Sequence, residues 1–101
     1  MAVTSKTLFR GAATTTVGTV LYTVPASTTA VVTSIVITNT AATSSTFTLG
    51  LAGTNLATTV TVGAYDTTVL DLKQVLVATN TITGGAAAVT VNFHIGGVEI
   101  V

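Results

Sequence analysis

Apolar and polar residues alternate with a period of two along most of this chain. The plainest case is AVTVNFHIGG, where Val89, Val91, Phe93 and Ile95 form one set and Thr90, Asn92 and His94 the other. In STFTLGLAG, Phe47, Leu49 and Leu51 alternate with Thr46, Thr48 and Gly50. In GTVLYTVP, Val20, Tyr22 and Val24 alternate with Leu21 and Thr23 until Pro25 ends the run. Val60 and Val62 alternate with Thr59 and Thr61, and Leu70 and Leu72 flank an outward Asp71. VEIV, at 98–101, reads as a short last strand. A period of two is the signature of half-buried strands. No window carries a sustained helical period.

The most apolar stretch, AVVTSIVI at 30–37, reads as a long central strand over Ala30 to Asn39. Strict alternation puts Val31, Thr33, Ile35 and Ile37 on one face and Val32, Ser34, Val36 and Thr38 on the other. The run is far shorter than the roughly 20 residues a membrane helix requires, and its β-branched content opposes a helix. The first residues, MAVTSKTLFRGAATTT, hold no apolar run of the secretory type, so no leader and no membrane are expected.

PAST, NTAATSS, AGTN, GAYD, ATN, TGG and GG separate these runs and carry turn chemistry. Strand-like runs roughly every 8–12 residues predict an all-β fold: a single antiparallel β-sandwich of about eight short strands, jelly-roll-like or immunoglobulin-like. The segment 1–11 lacks the alternation and is read as an N-terminal arm, leaving 12–101 as the sandwich domain.

Composition sharpens this picture. Only Lys6, Arg10, Lys73, Asp66, Asp71 and Glu99 are charged, 6% of the chain against roughly a quarter in ordinary domains. Three cations are too few for a nucleic-acid footprint. A neutral, weakly charged chain tends to associate with itself. With no cysteine, disulfides and thiolate metal sites are excluded.

Candidate chemistry is thin. His94 is the single histidine and is expected on an outer strand face; a metal centre takes three or four ligands. The three carboxylates show no acid/base pairing: Asp66 sits in a turn, and Asp71 beside Lys73 suggests a weak surface ion pair. No nucleophile elbow, phosphate loop or calcium loop occurs. No catalytic residue, cofactor or metal is therefore expected, and the surface is left to carry the function.

Three stretches together resemble small β-rich structural proteins of tailed bacteriophages. They are GTVLYTVPASTTAVVTSIVITNT at 18–40, LDLKQVLVATNTI at 70–82 and the closing GGVEI at 96–100. Within the first, the resemblance rests on Tyr22 to Pro25, Thr29 to Ile35 and Asn39 to Thr40. Several proteins of that kind are capsid decoration (cement) proteins. The resemblance implies a non-enzymatic virion protein on the outer surface of the capsid, assembled in the host cytoplasm. Its partner would be the major capsid protein lattice, and its homo-oligomer a trimer. In that reading the arm supplies the capsid contact through Lys6, Leu8, Phe9 and Arg10, with Phe9 as apolar anchor. The alternative is a receptor- or carbohydrate-binding module of a tail or fibre, using the loop of Tyr65 and Asp66, with Asn55. A pilus or surface-layer subunit would share the composition but calls for a secretion signal.

Overall fold

A computed structural model of the chain describes residues 2–101. Eight strands follow one another: β1 (Val3–Ala12), β2 (Val20–Thr23), β3 (Thr29–Asn39), β4 (Ser45–Leu51), β5 (Thr54–Val62), β6 (Thr67–Leu76), β7 (Thr81–Ala86) and β8 (Val91–Ile100). Threonine and valine supply them, because a side chain branched at Cβ fits a pleated surface better than a helix. The turns match their residues. Ala52 and Gly53 both have positive φ, 52° and 81°, between β4 and β5, the two-residue geometry that suits a twisted hairpin.

All pairings are antiparallel, in two four-stranded sheets ordered β1-β8-β3-β6 and β2-β7-β4-β5. Strands switch between the sheets at every connection except the β4–β5 hairpin, and the first and last strands lie side by side. Of the two sandwich types left open by the sequence, this is the jelly-roll order. An immunoglobulin sandwich groups its strands differently.

The core lies between the sheets. Ile35, Ile37, Phe93 and Ile95 of the first sheet and Phe47, Leu49 and Ile82 of the second are all 1% exposed or less. The rings of Phe47 and Phe93 meet edge to face across the interface, centroids 6.4 Å apart. Val89, expected to face inward with them, is exposed in the turn before β8.

Three expectations are corrected. First, segment 1–11 is not an arm outside the sheet: Val3 to Ala12 form β1, paired with β8 along its length. Met1 lies outside the described residues. Leu8 is an extra residue there, since Thr7 faces Gly96 and Phe9 faces Ile95. That bulge turns adjacent Leu8 and Phe9 both toward the core and erases the period of two.

Second, β3 does not alternate strictly. Thr33 is inserted opposite β8, between the pairs Val32–Gly97 and Ser34–Gly96. The inward set is therefore Ala30, Val32, Ile35, Ile37 and Asn39. One extra residue moves everything before it to the opposite face.

Third, the glycine pairs expected in turns, Gly84–Gly85 and Gly96–Gly97, lie inside β7 and β8. VEIV accordingly continues β8 rather than forming a separate strand.

Candidate functional site

The four residues assigned to a capsid-contacting arm do not share one surface. Leu8 is 6% exposed in the core, and Phe9 packs partly buried against it. Arg10 lies on the outer face of the first sheet, opposite His94. Together with Thr7 and Ser34 they line a shallow hollow of about 160 Å³. His94 is thus on the outer strand face, as its register implied. Lys6 is on the opposite face from Arg10 and stays largely in solvent, its side chain 45% exposed, with Nζ donating to both Glu99 carboxylate oxygens at 3.2 and 3.3 Å.

Glu99 is the residue that sequence reasoning passed over. Unbroken alternation from Phe93 through Gly97 carries it to the inward face of β8, at the open end of the sandwich. There it also accepts a hydrogen bond from the Tyr22 hydroxyl of the opposite sheet. The bond from Tyr22, then the Lys6 ammonium, holds the Glu99 carboxyl below the usual carboxylate range against the opposing effect of burial. Burial foremost, then the bond to Glu99 and its charge, pushes the Tyr22 phenol well above the usual tyrosine range.

These shifts have opposite consequences for stability. The Glu99 contribution is present above the ordinary glutamate range and is lost as pH falls through the lowered folded value. The Tyr22 contribution is complete below about pH 10 and is lost as pH rises toward the raised folded value. Wild-type urea midpoints should fall more steeply above about pH 10 than those of Tyr22→Phe, which keeps Lys6 but has no phenol to ionise. Parallel curves would show that the Tyr22–Glu99 bond contributes nothing to folding.

At the opposite end, Tyr65 and Asp66 occupy the β5–β6 turn. Tyr65 is 73% exposed and has a positive φ of 52°. Asp66 serves its own backbone, with Oδ1 accepting from the Thr67 N–H at 2.8 Å. The loop is fastened from below by Asn39, which is 1% exposed. Its amide donates to the carbonyls of Thr43 at 2.7 Å and Gly63 at 3.2 Å. Its carbonyl accepts from the Ala41 N–H at 3.1 Å and the Thr90 hydroxyl at 3.3 Å. Three loops thus meet on one buried amide, and Tyr65 is displayed on a fixed support. Asn55 is distant in the chain: it follows the β4–β5 turn and donates to the Thr58 hydroxyl at 3.2 Å.

An uncovered, largely apolar seam runs along one side of the sandwich. β5 and β6 are edge strands of different sheets and flank an open groove of about 450 Å³. Leu56, Ala57 and Val60 line it from β5, and Val69, Leu70, Asp71 and Leu72 from β6. Val69 and Val75 stand exposed on the outer face of β6, 62% and 64%. Lysines, prolines, bulges and short strands normally blunt such edges. β5 is interrupted by bulges and by Thr59 at φ 49°. β2 is four residues long, and β1 carries its bulge at Leu8. β6 runs for ten residues and carries one irregularity, at Leu72–Lys73 opposite Thr33, where its register with β3 shifts.

Among the described residues no group of three or more metal-ligating side chains comes together. No helix there is long and apolar enough to cross a membrane. No family model matches the chain, and no curated protein is significantly similar to it.

Proposed function

We propose that this chain is a structural subunit of a bacteriophage virion that works through its surface, binding the major capsid protein lattice as a decoration protein that stabilises the head. The observation that carries this reading is a stiff, nearly uncharged jelly roll whose surface leaves Val3, Val17, Val20, Val77 and Val89 exposed away from the β5–β6 seam. Burying such a surface desolvates few charges, which suits permanent packing between subunits. The jelly roll also serves in viral capsids, which supports the reading by analogy of fold. The arm is no part of the proposal, because its residues belong to the sheet and its core.

A second reading keeps one specific observation in its favour. Tyr65 stands out on a loop that Asn39 holds rigid, and an exposed aromatic on a fixed support is how many binding loops present themselves to sugars. Jelly rolls occur among lectins as well. In that case the chain belongs to a tail or fibre.

Co-sedimentation separates the two. The purified protein should saturate sites on expanded heads that lack it, and Tyr65→Ala should leave that binding unchanged. Binding to tails or host cells instead, abolished by Tyr65→Ala, would move the assignment to the second reading.

A further inference from the structure

The outer face of β6 carries, in order, Val69, Asp71, Lys73 and Val75, all exposed. The sequence suggested an ion pair between Asp71 and Lys73. None forms: among the described residues the single salt bridge joins Lys6 and Glu99. β6 pairs with β3 on one side, with its register shifted at Leu72–Lys73 opposite Thr33, and has no strand on the other.

We propose that this edge pairs antiparallel with β6 of a second copy of the chain, about a two-fold axis at Leu72. The occupant follows from the order of the side chains. Directly opposed residues in an antiparallel pair lie on the same face. Centred on Leu72, the register sets Asp71 of each copy against Lys73 of the other, and Val69 against Val75. The four-residue face is its own complement: two apolar pairs enclose two opposite-charge pairs, the combinations that stabilise neighbouring strands. Shifting the register by two residues breaks both ion pairs and sets a charge against a valine. A lone edge lysine ordinarily repels an incoming strand. Here Asp71 supplies its counter-charge from the partner, and the blocking residue becomes a selector for the chain's own kind.

The inner face agrees. The same register brings Leu72 against its symmetry copy and lays the two β5–β6 grooves side by side, covering Leu70 and the β5 residues Leu56 and Val60. The two first sheets become one continuous sheet. An isologous contact of this kind closes at two copies, unlike the three-fold ring that the phage resemblance implies. The pairing is a property of the β6 edge and does not depend on where the chain is deployed.

The test is sedimentation equilibrium of the full chain and three variants. The wild type should be a dimer. Asp71→Lys and Lys73→Asp each set like charges across both ion-pair positions and should weaken the dimer about tenfold or more. The double variant, which retains the net charge, should dimerise as the wild type does. An equimolar mixture of the two single variants should form a one-to-one heterodimer. Because both residues are exposed, circular dichroism should show every variant folded. A wild type that stays monomeric or sediments as a trimer overturns the proposal. So does a dimer that the single substitutions leave unchanged.

Discussion

Gly97→Ala should be the most damaging single-methyl change in this protein, removing about 4 kcal/mol or more of stability. A Cβ at Gly97 would lie 2.3 Å from the Val31 carbonyl oxygen and 3.0 Å from Leu8 Cδ1. The nearest atom is backbone of the adjacent central strand and cannot rotate away. The β3 bulge at Thr33 lies directly beside this pairing, between Val32–Gly97 and Ser34–Gly96. Relief requires β8 to move off β3, combining overpacking of roughly 1–3 kcal/mol with the loss of ladder hydrogen bonds worth about 1 kcal/mol each. A domain of this size has roughly 5–15 kcal/mol in total. The melting temperature should therefore drop by about 20 °C, or the chain should fail to fold. Gly18→Ala provides the contrast, since its added Cβ meets nothing within 4 Å. Equal melting temperatures for the two variants would contradict the packing described here.

The second large effect is at Asn39. Replacing it with Ala strands the Ala41 N–H, the Thr90 hydroxyl and the carbonyls of Thr43 and Gly63 at a buried position. Each unsatisfied buried group costs about 1–3 kcal/mol where water cannot reach it. A loss of about 3 kcal/mol and about 15 °C in melting temperature is expected. Asn39→Asp should do no better, because a carboxylate would face two carbonyl oxygens that now receive N–H donors. Hydrogen exchange should quicken in the loops 40–44 and 63–66 of either variant. A melting temperature within 2 °C or so of wild type would show that the three loops hold themselves without the amide.

The sequence made the element types plain and the faces of most strands as well. Phe47, Leu49, Leu51, Phe93 and Ile95 are buried as their alternation required. What stayed hidden follows from the bulges. Alternation carries information only while the register is unbroken, and Leu8 and Thr33 each break it with one extra residue. That is why β1 looked like an arm and why half of β3 was assigned to the wrong face. A glycine in a strand-like run fits either a turn or a close backbone approach, and the deciding neighbour is distant in the chain. For Gly97 it is Val31, and for Gly85 it is Thr16 and Val17. The strand order was equally out of reach, because β1 pairs with β8 at the far end of the chain. Of the candidate sites, the turn of Tyr65 and Asp66 was legible from its GAYD composition. The Glu99–Tyr22–Lys6 cluster was not, because these residues meet only when both sheets and the first and last strands come together. The seam left a partial trace: TVLDLKQVL shows its alternation, but nothing local marks β6 as an edge.

The proposed role is to reinforce a virion head through the protein's surface. The most direct measurement is the temperature at which expanded heads lacking the protein release their DNA, with and without a saturating amount of it. Saturable binding is expected, with release shifted to higher temperature. Heads that release DNA at the same temperature, with the protein left in the supernatant, would contradict it.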